Sequence, residues 1–186
     1  MTPPTPPTLE EGPFTLRLPR AEDVSWIFHA CQDEDIQRFT TVPSPYAPAD
    51  AIAWVGAAGE QWSQGTELRF LVALTESGEL LGAAGLNLTH GDGRAEIGYW
   101  VERDARRRGV AAASIRALER YAAEVLHLRE TFLRIMEDNT ASTAVALACG
   151  YVPSGPDPTL CNGQVTVRYT KPLGPAPSAD AGSAPD

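Results

Sequence analysis

A strand-length segment, Ile97-Gly98-Tyr99-Trp100-Val101, leads into Arg106-Arg107-Arg108-Gly109-Val110-Ala111, a basic turn that opens a helical pattern. Periodicity fixes the helix. Between Val110 and His127, Ile115, Leu118, Ala122 and Val125 share one face, with Arg116, Glu119, Arg120 and Glu124 elsewhere. The N–H groups at a helix start have no intrahelical partner and carry partial positive charge, so a strand that delivers the chain to such a start builds a seat for a pyrophosphate. Gly109 has no side chain to obstruct close approach, Ala111, Ala112 and Ala113 keep the first turn slim, and the arginines can reach phosphate oxygens from the rim.

Charge sharpens this reading. The formal net charge of -9 disfavours general binding to nucleic acid or to an anionic membrane surface and favours cationic or amine-bearing substrates. Yet four of the 15 Lys and Arg residues (Arg103, Arg106, Arg107 and Arg108) fall within six positions. Alone, such a cluster is a solvated surface or a nucleic-acid contact. After a strand and before a helix, it points to a small polyanion. Cys31, Cys149 and Cys161 have no metal-ligand spacing, and His29, His90 and His127 are scattered, so reduced thiols and no metal site are expected. No apolar run is long enough for a membrane span and the Pro/Thr-rich start has no signal-peptide pattern, which predicts a cytoplasmic protein.

One α/β domain over residues 13–173 is predicted, between flexible tails at 1–12 and 174–186 that are too poor in apolar residues to offset their ordering entropy. Alternation in Phe14-Thr15-Leu16-Arg17-Leu18 predicts an opening strand. A helix over 21–39 follows, then a loop broken by Pro43, Pro45 and Pro48, and a second helix carrying Ile52, Val55 and Trp62. Segments 68–75, 80–88 and 95–101 form an antiparallel meander, joined by Glu76-Ser77-Gly78-Glu79 and Gly91-Asp92-Gly93. After the Val110 helix come a buried strand over 131–136, a short helix over 139–149 ended by Gly150, and a terminal strand over 164–171.

The run Arg106-x-x-Gly109-x-Ala111 resembles the coenzyme A signature of the GNAT superfamily of N-acetyltransferases, with Ala111 in place of the commoner glycine. Asn139-Thr140-Ala141-Ser142 followed by Cys149-Gly150-Tyr151 is similar to the Asn-x-x-Ser helix and terminal Gly-aromatic of the branch typified by the ribosomal-protein N-terminal acetyltransferases RimJ and RimL, with Tyr151 for the usual phenylalanine. Leu16-Arg17-Leu18-Pro19-Arg20 and Ala95-Glu96-Ile97-Gly98-Tyr99-Trp100-Val101 also resemble that branch, and the likeness spans about Phe14 to Leu173.

The resemblance implies a mixed, mostly antiparallel sheet splayed near its middle, with acetyl-CoA in the opening. Pantetheine would pair with backbone near Trp100, Val101 and Glu102, and the pyrophosphate would rest on Arg106, Arg107, Arg108, Gly109, Val110, Ala111 and Ala112. Asn139 would hold the pantetheine side, with Ser142 near the sulfur. The acceptor would be a primary amine: a protein N-terminus, favoured by analogy, or a polyamine, aminoglycoside or amino acid. The enzyme would be a monomer or homodimer.

Chemistry assigns the remaining roles. The attacking amine must be neutral, and the departing thiolate benefits from a donor. Glu96, just ahead of the cofactor strand, is the candidate base; pairing with a surface arginine or binding substrate are the alternatives. Ser142 is the candidate donor to the thiolate, with Tyr151 as substitute; Ser142 also fits as an ordinary first-turn residue of its helix. Asn139 fits equally as a helix cap. Cys149 is read as buried and structural. The stretch Phe39-Thr40-Thr41-Val42-Pro43 is the expected acceptor loop. A non-catalytic acyl-CoA-binding module and an enzyme using succinyl-CoA are the rival readings.

Overall fold

Alternation at the start of the domain buries Phe14 and Leu16 and turns Thr15 and Arg17 outward, so β2 (Phe14–Arg17) has one core face. The computed structural model describes residues 6–174; the remaining parts of the two predicted tails, 1–5 and 175–186, lie outside the described residues. Leu9–Glu11, which composition alone groups with the tail, is a strand (β1) paired with β2 and tied down by Arg116 and Arg120, both bound to Glu11.

The order continues α1 (Val24–Ala30), α2 (Glu34–Phe39), α3 (Pro48–Gln64), β3 (Glu67–Leu74), β4 (Leu80–Asn87), β5 (Arg94–Val101), α4 (Val110–Glu124), β6 (Glu130–Met136), α5 (Thr140–Ala148), β7 (Val152–Cys161) and β8 (Gln164–Pro172). Two further elements depart from expectation. The single helix over 21–39 is broken because Asp33 accepts hydrogen bonds from the N–H groups of Asp35 and Ile36, capping a new helix. The extra strand β7, in a stretch for which the sequence predicts no element, carries Pro153, Pro156 and Pro158; it lies at the sheet edge, where proline is tolerated because only one side must pair.

The strands form one eight-stranded sheet, β1-β2-β3-β4-β5-β6-β8-β7. All neighbours are antiparallel except β5 and β6. That parallel pair holds only at Arg94↔Glu130, Ala95↔Thr131 and Glu96↔Phe132. Beyond it, β5 stays with β4 up to Val101↔Gly82 while β6 follows β8 to Met136↔Thr166. Gly82 permits the close approach on the β4 side, since a Cβ there would fall 2.4 Å from the Trp100 carbonyl oxygen. The sheet is therefore splayed from residue 97 onward, as the expected α/β architecture requires.

One face packs against α4, where Ile115, Leu118 and Ala122 are fully buried with Leu86 and Ile97. The other is covered by the helices α1 to α3 around Ile27, Ile36, Ala51 and Leu71. Burying that apolar surface is the main force holding the layers on the sheet. No helix among the described residues is long and apolar enough to cross a membrane.

Candidate active site

Two cavities adjoin at the splay. One, of about 710 Å³, runs between the open edge of β5 at Trp100 and Val101, the turn into α4, and the start of α5. The other, of about 630 Å³, lies under the loop Thr40–Pro43 and against Trp54, Arg69, Glu96 and Arg134. Phe39, Thr40, Tyr99, Trp100, Asn139 and Ser142 line both, so the junction lies where β5 and β6 part. Gly98 faces the second cavity with open space where a side chain would stand.

The turn into α4 is shaped for an anion. Arg107 and Gly109 both have left-handed backbone, at φ 63° and 82°, and no side chain caps the helix start. Alternating turn conformations of this kind aim successive N–H groups into one concavity. Val110, Ala111 and Ala112 line the first cavity there.

The three arginines divide their labour, contrary to a simple rim. Arg106 donates to Asp33 Oδ1 at 2.6 Å, to Asp35 Oδ2 at 2.8 Å and to the Val101 carbonyl at 3.3 Å, fastening the turn to α2. Arg108 reaches toward Glu79 at 3.4 Å and lines neither cavity. Arg107 lines the first cavity and has no partner among the described residues. Glu102, expected along the pantetheine edge, is also elsewhere: its carboxylate accepts from Asp104 N–H at 2.7 Å, its own N–H goes to Leu81, and it lines neither cavity.

Asn139 caps α5, its side-chain oxygen accepting from Ser142 N–H at 3.0 Å, and both residues line the junction. Capping and cavity-lining therefore coexist in the same side chain. Beside Ser142 stands Tyr99, which sequence reasoning missed. Its hydroxyl is buried without a well-formed hydrogen bond, Ser142 being its near neighbour, and burial pushes its pKa up. The substitute donor Tyr151 is not at the site. It is 1% exposed, its hydroxyl pairs with Thr131 Oγ1 at 2.8 Å, and it lines neither cavity. It belongs to the hydrophobic core.

Glu96 stands in the wall of the second cavity, oriented by an arginine. Arg134 donates from Nε to Oε1 at 2.8 Å and from Nη2 to Oε2 at 2.5 Å, and His90 Nε2 lies 3.2 Å from Oε2. This bidentate bond raises the Arg134 pKa and fixes the carboxylate plane. A second pair, Arg69 to Glu67 at 2.9 Å, lines the same cavity, with Arg69 also donating to the Trp54 carbonyl. Neither arginine was legible as a site residue. Among the described residues no group of three or more His, Cys, Asp or Glu side chains is placed to hold a metal ion.

Known proteins match this arrangement. An N-acetyltransferase of uncharacterised role from Bacillus licheniformis, p20, is 24% identical over 149 residues, covering 80% of this chain and 84% of that protein. The solved structure of RimL, a ribosomal L7/L12 alpha-N-protein acetyltransferase in complex with coenzyme A, superposes with a TM-score of 0.80 at 19% identity, over 90% of this chain and 98% of that one. RimJ from Mycobacterium smegmatis, in complex with CoA-disulfide, gives 0.80 at 22% identity over 92% and 90%. The acetyltransferase (GNAT) domain family matches residues 14–152, from the first core strand through the splayed junction to the start of β7, and the chain belongs to that family.

Proposed function

We propose that this acetyltransferase moves the acetyl group of acetyl-CoA onto a primary amine by direct attack on the thioester. The observation that carries the reading is the open edge of β5 beyond Glu96, which lies between an anion-shaped helix start and a second cavity. Pantetheine runs along Trp100 and Val101, the diphosphate rests on the N–H groups from Gly109 to Ala112 with Arg107 on the rim, and Asn139 and Ser142 flank the thioester. The acceptor enters the second cavity under Thr40–Pro43. Glu96 takes the amine proton through water, and an N–H on the open strand stabilises the oxyanion. A protein or peptide α-amine is the favoured acceptor, supported by the likeness to RimL, an alpha-N-protein acetyltransferase, and by carboxylates of Glu67 and Glu96 facing the cavity. The setting is cytoplasmic, with all three cysteines as free thiols.

Thiol release tests the proposal. Purified protein with acetyl-CoA and a panel of peptides, polyamines, aminoglycosides and amino acids is expected to release CoA with a peptide amine. Saturable cofactor binding with no release on any amine would overturn the acceptor assignment, and faster release from succinyl-CoA would overturn the donor.

A further inference from the structure

Donor and acceptor arrive through different cavities, so the reacting thioester must lie where the two adjoin. Six residues line both sides of that junction, and three of them carry hydroxyls: Thr40, Tyr99 and Ser142. Thr40 is committed, donating to the Ile36 carbonyl at 2.6 Å and accepting from Val42 N–H at 3.2 Å. Ser142 is a short side chain whose backbone is tied to the Asn139 cap and whose hydroxyl neighbours Tyr99. Tyr99 alone brings a buried hydroxyl with no well-formed partner. Leaving such a group unsatisfied is costly, which is why buried polar atoms almost always have partners.

Building on the acetyl-CoA reading above, we infer that Tyr99 is a catalytic residue whose hydroxyl donates a hydrogen bond to the cofactor sulfur as the C–S bond breaks. The neutral amine forms the C–N bond and the C–S electron pair passes to sulfur. Glu96 has by then taken the ammonium's first proton through water; the second proton, acidic once the C–N bond has formed, passes through water to the thiolate as CoA leaves. Tyr99 keeps its own proton throughout, since burial makes its hydroxyl a poor acid and a good donor. Ser142 orients that hydroxyl before cofactor arrives. Residue 99 follows from strand alternation: Ile97, Tyr99 and Val101 point toward the α4 layer, while Glu96, Gly98 and Trp100 point to the other face.

The test compares CoA with desulfo-CoA, in which hydrogen replaces the thiol, by titration calorimetry at mildly alkaline pH where thiolate is populated. Wild type is expected to bind CoA about fivefold to tenfold more tightly than desulfo-CoA, as a hydrogen bond to a charged atom allows. Tyr99→Phe should bring that ratio close to one and leave desulfo-CoA affinity intact. Tyr151→Phe, a core change, should keep the wild-type ratio. Equal binding of the two cofactors by wild type, or an unchanged ratio in Tyr99→Phe, overturns the assignment. Should Tyr99→Phe not fold, Ser142→Ala decides: the ratio survives if Tyr99 is the donor and vanishes if Ser142 is. Wild type that binds neither cofactor overturns the acetyl-CoA reading, and this one with it.

Discussion

Arg106 and Asp33 lie 73 positions apart in sequence, and their side chains meet at 2.6 Å. The contact joins the turn that opens α4 to the cap of α2, so the two walls of the first cavity are fastened to each other. Asp33 is the hub. Only 6% of its side chain is exposed, and it accepts from Arg103, Arg106 and two backbone N–H groups. Asp33→Ala removes a helix cap and leaves two guanidinium groups without their shared partner. Stability is expected to fall by about 1–2 kcal/mol, lowering Tm by roughly 3–6 °C, as thermal unfolding followed by circular dichroism would show. An unchanged Tm would mean that solvent replaces the contact at no cost.

Acid should unfold the protein through carboxylates of this kind. Arg120 and Arg116 hold the Glu11 pKa below its ordinary value. For Asp23, Asp33 and Asp157 burial opposes the charge, but hydrogen bonds outweigh it, chiefly from Arg17, from Arg106 and Arg103, and from Thr159 and Arg168 respectively. A pKa depressed in the folded state contributes stability that is complete above the unfolded value, near 4, and is lost as pH falls through the folded value. Tm is therefore expected to be flat between about pH 7 and 5 and to drop steeply below about 4. Asp157→Asn should lower Tm at neutral pH and flatten the acid limb. A limb as steep as that of wild type would place the proton-linked stability elsewhere.

The sequence made the local elements legible and left the distant pairings hidden. Helix α4 and the turn before it could be read because a 3.6-residue period, a glycine and an arginine run sit in one stretch of chain. The break at Asp33 joins a local cap on the N–H groups of Asp35 and Ile36 to contacts with Arg103 and Arg106, and those distant contacts no local pattern announces. Strand β7 stayed hidden because its prolines signal loop everywhere except at a sheet edge. Tyr151 and Tyr99 are both tyrosines beside plausible motifs. Only the splay of β5 from β6 decides which hydroxyl meets the cavities and which meets Thr131.

Arg107 offers the cleanest separation of binding from folding. Its guanidinium has no partner among the described residues, and its backbone lies in the left-handed region at φ 63°. Arg107→Ala is expected to leave Tm unchanged and to weaken CoA binding about threefold to fivefold, the range of an exposed ion pair. The loss should shrink as salt is raised, because screening weakens the wild-type contact. Arg108→Ala, which removes a side chain facing Glu79 outside both cavities, should leave the affinity as it was. Equal losses from both variants would indicate a diffuse field rather than a seat at residue 107.

Glu96 poses the sharpest mechanistic choice, since the same geometry serves a base or a brace. Arg134 grips both carboxylate oxygens, which fixes the group against the acceptor cavity and also occupies its best lone pairs. Glu96→Gln keeps the shape and one acceptor for Arg134 but cannot take a proton. If Glu96 acts as base through water, kcat/KM near neutral pH should fall by about a hundredfold, within the range for general-base removal. The deficit should then narrow as pH rises past the amine pKa, about 8 for a peptide α-amine, because the acceptor arrives already neutral. If Glu96 only braces Arg134, the deficit should stay constant across that range, since a brace takes no proton from the acceptor. A pH–rate profile of wild type and Glu96→Gln on one peptide therefore separates the roles: converging curves support proton removal, and parallel curves reassign Glu96 to positioning.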